Sequence, residues 1–96
     1  MSNDELVSAA LQFGGNTLEQ AKQVLKDRGD LQKIGPQLHK DIIKYHIQWP
    51  NALLINSISL YKHTKPEKAY ELFRVLVKAR RTLAHQLAWH LASMFP

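Results

Sequence analysis

Between Lys65 and Phe95, apolar residues recur at steps of three and four: Ala69, Leu72, Phe73, Leu76, Leu83, Leu87, Leu91 and Met94. On a helix that spacing draws one stripe, about 45 Å long if the helix is unbroken. Its start is well marked. Thr64-Lys65-Pro66-Glu67 offers a capping hydroxyl with a glutamate three residues on, and Pro66 falls in the first turn, where its missing N–H costs little. A stripe of this length must be covered by other helices, so the remainder of the chain is expected to supply them.

The segment before it supplies the main one. From Asn51 to about His63, Ala52, Leu53, Leu54, Ile55, Ile58, Leu60 and Tyr61 occupy most of a helical wheel. Only Asn56, Ser59, Lys62 and His63 are left as a narrow polar edge. A helix apolar on nearly every side belongs in the middle of a fold. The short return through Lys62-His63-Thr64-Lys65 sets it antiparallel to the long helix.

Upstream, Ser2-x-x-Glu5 reads as a capping box for a first helix ending near Phe13, with Leu6, Ala9, Ala10 and Phe13 inward. Gly14-Gly15 ends it. Asn16 and Thr17 open a second helix, with Glu19 or Gln20 closing its box, and Leu18, Ala21, Val24 and Leu25 face inward. Gly29 suits the C′ position, and the two helices form an antiparallel hairpin. Asp30–Ile34 reads as one turn that Gly35-Pro36 breaks. A third helix runs from about Pro36 to Gln48 and points Leu38, Ile42, Tyr45 and Trp49 inward. Ile43 and Ile47 are expected to widen that face, with Lys40 and Lys44 outside it. Trp49-Pro50 marks its end. The expected fold is therefore all-α, a single domain of about five helices spanning Met1–Pro96: an N-terminal helical hairpin, a third helix, and an antiparallel pair made of a buried fourth helix and a long C-terminal one.

Ala69-x-x-x-Phe73 after a helix and a short turn resembles the second half of a tetratricopeptide unit over about 25 residues. The Trp-x-x-Leu-Gly opening is missing, Leu60 stands where a tyrosine would be wanted, and a shift of about 34 residues recovers no second copy. Generic helical-hairpin packing accounts for the pattern.

Composition narrows the function more than any motif does. With 45% hydrophobic and 22% charged residues among 96, the chain has ordinary globular proportions. It has no cysteine, and its first residues are acidic. No apolar run reaches the roughly 18 residues that a membrane span needs. These features point to a cytoplasmic protein with neither membrane span nor signal peptide. The net charge of +5 favours an acidic partner, nucleic acid included.

No glycine-rich phosphate loop, nucleophile elbow or paired carboxylates are present, so no enzymatic activity and no cofactor is expected. His85 and His90 lie about 140° apart on a helix, and neither His39 nor His46 has a carboxylate or second histidine one turn away, so no metal is expected either. Two contact surfaces remain.

Arg74, Lys78, Arg81 and His85 line one side of the long helix over about 16 Å, a spacing that can follow phosphates or acidic side chains. Glu67 and Glu71 precede them on that side, so the same row also suits the helix dipole. Arg80 falls inside the apolar stripe. Either the helix breaks near Ala79-Arg80-Arg81-Thr82, or Arg80 reaches out along its stem, or a partner carboxylate meets it. The row Val75, Ala79, Thr82, Gln86, Trp89 can seat a partner helix or a second copy, with Trp89 as anchor.

The hairpin followed by Asp30–Ile34 can also be laid on a helix-turn-helix template, with Ala21, Leu31 and Ile34 at inward positions. Leu25 then falls where glycine is favoured, and Gly35-Pro36 cuts the reading helix short. The sequence thus supports a small regulatory or adaptor protein that binds a protein partner, or its own copy as a dimer, through Val75, Arg80, Thr82, Gln86 and Trp89. The alternative is a DNA- or RNA-binding regulator that contacts phosphates through Lys40, Lys44, Arg74, Lys78, Arg81 and His85.

Overall fold

The first helix, α1 (Asn3–Phe13), opens with the expected box: the Glu5 amide donates to Ser2 Oγ at 3.1 Å, and the Ser2 amide donates to Glu5 Oε1 at 3.3 Å. Two of the donors that a helix start leaves unmet are thereby satisfied. The computed structural model describes residues 1–79, with side chains through residue 76, and over them the chain is all-α. Its elements after α1 are α2 (Gly15–Asp27), a 3₁₀ turn (Leu31–Ile34), α3 (Gly35–Tyr45), α4 (Asn51–Thr64) and α5 (Pro66–Ala79).

α1 and α2 form the hairpin, and the corner is tighter than the sequence suggests. α2 begins at Gly15 rather than at Asn16 or Thr17, and no side chain caps it. The Gly14 carbonyl takes the first bond, from the Leu18 amide at 3.0 Å. Gly14 adopts φ 62°, ψ −154°, backbone that essentially only glycine enters. At the other end, the Gly29 amide reaches the Lys26 carbonyl and the Asp30 amide reaches the Leu25 carbonyl, with Gly29 at φ 74°. This is a Schellman closure with glycine at C′, as expected. Asn3 ties the open end of the hairpin by donating to Asp30 at 2.8 Å and accepting from Arg28 Nη1 at 3.1 Å.

Gly35-Pro36 does not break the chain, contrary to expectation. The 3₁₀ turn runs directly into α3, with Gly35 helical at φ −56°, ψ −51°. Proline disfavours this conformation in the residue before it partly through that residue's Cβ, which glycine lacks, and Pro36 itself lies in the first turn. α3 stops at Tyr45, earlier than expected, and a short turn leads through Trp49 to Pro50.

α4 is the centre. It packs against α1, α2, α3, α5 and the 3₁₀ turn. Leu54, Ile58 and Leu60 are 0% exposed. The expected polar edge is partly covered as well: Ser59 is buried, and Asn56 is half-buried with its amide donating to the Leu11 carbonyl at 2.9 Å. Buried hydroxyls need partners, and Ser57 and Thr64 find theirs three residues back in the same helix, at Leu54 and Tyr61. Thr64 therefore belongs to α4, and its proton goes to Tyr61. The first α5 carbonyl acceptor is Lys65, bonded by the Ala69 amide at 3.0 Å. α5 lays Ala69, Leu72 and Leu76 on α4, with Phe73 partly covered.

Three apolar residues read as inward face out. Phe13 is 68% exposed at the hairpin corner, where the chain reverses over two glycines and no described element covers the ring. The buried line of α1 and its cap is instead Leu6, Ala10 and Gly14, of which the last two are small enough to let α4 approach closely. Ile43 and Ile47 are 53% and 71% exposed. α3 turns Gly35, Leu38 and Ile42 to the core; Ile43 lies about 100° round the helix from Ile42, and Ile47 falls in the turn beyond the helix end.

Candidate functional site on the outer faces of α3 and α5

Because α3 buries a single narrow line, its opposite side is open. Lys40, Ile43 and Lys44 are exposed there, Ile43 and Lys44 each one turn beyond Lys40, and Ile47 follows, exposed, in the turn after α3. The Lys44 ammonium sits 5.1 Å from the centroid of the Tyr45 ring, and that ring stacks on Trp49 with centroids 6.0 Å apart. The stack braces the C-terminal end of the ridge, and a cation over an aromatic face is attracted by its quadrupole. His46 folds back on the last turn of α3, its Nδ1 3.0 Å from the carbonyls of Ile42 and Ile43. The one carboxylate of α3, Asp41, lies on another side and accepts from Gln37 Nε2 at 2.9 Å. It helps to rim a 500 Å³ cleft between α1 and α3, whose apolar lining includes Val7, Leu11 and Ile34. The ridge itself is therefore apolar at its middle, cationic beside it, and free of acid.

α5 presents a more mixed face. Arg74 and Val75 are exposed, Val75 by 63%, and so are Glu67 and Glu71. Tyr70 is 45% exposed, with its ring tilted against Phe73 at 6.4 Å. Among the expected contact residues, the structure brings Lys40 and Lys44 together on α3, and Arg74 and Val75 on α5. Lys78 lies in α5, but its side chain is outside the described set, and Arg80, Arg81, Thr82, His85, Gln86 and Trp89 lie wholly outside the described residues. So does the question of a helix break near Arg80.

Ile43 and Ile47 were missed as surface residues, although the signal was present. The pattern Lys40-x-x-Ile43-Lys44-x-x-Ile47 interleaves them with the lysines on one arc, so lysines outside require the isoleucines outside as well. The helix-turn-helix template finds no support in the packing, since α3 lies principally on α4 and the 3₁₀ turn.

His39 is held by Tyr61, with Nδ1 2.9 Å from the buried hydroxyl and the rings edge to face at 5.6 Å. Among the described residues, no three His, Cys, Asp or Glu side chains gather where a metal ion could sit. No helix of the described residues is long and apolar enough to cross a membrane. In comparisons with known proteins, no family model matches the chain, and no curated protein or solved structure is significantly similar to it.

Proposed function

We propose that this chain is a small non-catalytic regulatory or adaptor protein of the cytoplasm, and that it docks an acidic, amphipathic segment of another protein on the outer face of α3. One observation carries the reading: Ile43 and Ile47 stand 53% and 71% exposed in a ridge whose charged neighbours, Lys40 and Lys44, have one sign. Apolar side chains exposed as a group favour a partner that covers them, and the lysines favour one whose rim is acidic. Completing the burial of each isoleucine is worth about 1 kcal/mol or somewhat more, or roughly five- to tenfold in affinity. The net charge of +5 steers the same class of partner. The row from Arg74 and Val75 towards Trp89 is a second contact surface in this proposal.

The test uses isotope-labelled full chain and a synthetic helical peptide with leucine on one face and glutamate on the other. Methyl shifts of Ile43 and Ile47 should saturate with the peptide, and the amide shifts that it causes at Lys40 and Lys44 should be lost in Ile43→Gln/Ile47→Gln. A lysine-substituted peptide should not bind. Shifts that fall elsewhere, or equal binding of both peptides, would refute the proposal.

Nucleic-acid binding is the second reading, favoured by the lack of a carboxylate on the Lys40–Lys44 ridge. It predicts affinity that falls about tenfold or more between low and moderate salt and survives loss of the isoleucines. Docking of the acidic peptide also weakens with salt, but it is lost with the isoleucines, and that loss separates the two readings.

A further inference from the structure

Away from the α3 ridge, α2, the 3₁₀ turn and the last turn of α4 enclose an open cavity of 430 Å³. Lys22 and Lys26 line it from α2, Gln32 from the 3₁₀ turn and His63 from α4, and Leu31 forms an apolar part of the wall. No carboxylate is among its lining residues. We infer that this cavity is a binding site for an oxyanion of the phosphate class, held by the ammonium groups of Lys22 and Lys26 together with the His63 ring and the Gln32 amide.

The chemistry follows from the side chains that line the cavity. Lys22 and Lys26 are one turn apart, so both stems point to the same side of α2 and offer two point charges. Lys26 and Gln32 are exposed and have amine and amide protons to offer a ligand. Lys22 is only 24% exposed and is held at 2.7 Å by Glu19 outside the cavity, so Glu19 competes with any anion for it. His63 is half-buried. Burial, then the Lys22 charge and more weakly that of Lys62, press its pKa below the ordinary 6.5, while Glu19 acts in the opposite sense. The ring therefore sheds its proton readily when the cavity is empty. An anion between His63 and the lysines reverses the local field, so binding draws a proton onto His63. Affinity should rise as pH falls through the histidine range, by at most about tenfold per pH unit, the limit for one linked proton.

The phosphate group can come from a free anion or from a nucleic-acid strand, and the experiment separates the two. Full-length labelled protein is titrated with sodium sulfate against a constant chloride background. Sulfate does not titrate near neutrality, so any pH dependence belongs to the protein. Saturable shifts are expected at Lys22, Lys26 and the His63 ring. Lys22→Gln/Lys26→Gln should weaken binding about tenfold or more. Glu19→Gln, which frees Lys22, should tighten it a few-fold. His63→Gln should still bind, with affinity flat between about pH 5.5 and 7.5.

Inorganic phosphate and a short single-stranded oligonucleotide form the two further arms. If the oligonucleotide binds more tightly and the double lysine variant weakens it by the same factor, the phosphate is carried on a strand. If only the inorganic ions are sensitive to the variant, the ligand is a free anion. Either outcome supports the site. Non-saturating shifts spread over Lys33 and Lys40, or unchanged affinity in both Lys22→Gln/Lys26→Gln and Glu19→Gln, would overturn it. So would a pH dependence that persists in His63→Gln.

Discussion

Gly14 is under two constraints at once. Its backbone lies in a region open essentially to glycine alone, and a Cβ built on it would stand 2.5 Å from Asn56 Oδ1. Gly15, next along, has φ 48° but nothing within 4 Å of its added Cβ. Gly14→Ala should therefore cost about 2 to 4 kcal/mol, combining backbone strain with displacement of the Asn56 amide from the Leu11 carbonyl. Gly15→Ala should cost only about 1 to 2 kcal/mol, the left-handed backbone penalty. Urea unfolding of the two variants checks the order. Asn56→Ala removes the clash but not the strain, so Gly14→Ala should cost measurably less in that background. Additive costs would show that the close approach contributes nothing. The glycine pair was readable as a turn. Its partner on α4 was not, because a turn signal is local and carries no information about which distant side chain fills the space beneath it. Similarly, His39 could be cleared of one-turn metal partners by spacing alone, but its bond to Tyr61 depends on how α3 lies across α4. Tyr61→Phe should lower stability by about 1 kcal/mol through loss of that bond. An unchanged urea midpoint would mean that water replaces the hydroxyl.

Among the elements, α4 was the easiest to place and α3 the easiest to misjudge, for one reason. A helix apolar all round has only one home, the interior, whereas a helix with apolar residues on two arcs can bury either or both. α3 and the turn that follows it carry such arcs, Leu38 with Ile42 and Ile43 with Ile47, and α4 covers the first. Stability should divide the same way. Leu54→Ala or Ile58→Ala, each truncating a side chain with no exposure, should cost about 2 to 5 kcal/mol. Ile43→Gln/Ile47→Gln should stay within about 0.5 kcal/mol per site of the parent. Comparable losses in the two classes would mean that the α3 ridge is covered. Polar residues in α4 misled in a smaller way. Thr64 has the right spacing to cap α5, but a threonine hydroxyl can equally return to a carbonyl three residues back. In the last turn of α4, the Tyr61 carbonyl is within 2.8 Å and takes the proton.

For the molecule as a whole, the titrating groups give acid a consistent direction. The pKa of Glu5 is lowered by the Ser2 amide and hydroxyl, that of Glu19 by its bond from Lys22, and that of Asp30 by Asn3 and then Lys33. Each carboxylate is bound more favourably in the folded chain when ionised. Their stabilisation is present above the ordinary values of 4.5 and 3.8 and is lost as pH falls through the lower folded values. His63 acts in the same sense by the opposite chemistry. Its neutral form is favoured on folding, so the unfolded chain binds the proton first, and stability is complete only above the ordinary 6.5. The urea midpoint in chloride should therefore be flat above neutrality, begin to fall near pH 6.5, and fall again in the carboxylate range. Rising positive charge on a chain already at +5 adds to the second fall through self-repulsion. A pH scan of the parent chain alone does not assign the first fall to one group. His63→Gln can: it should flatten the decline between about pH 7 and 5.5 and leave the carboxylate step in place. A midpoint that rises on acidification through this range, or a first decline that His63→Gln leaves intact, would show that burial beside Lys22 does not govern the ring.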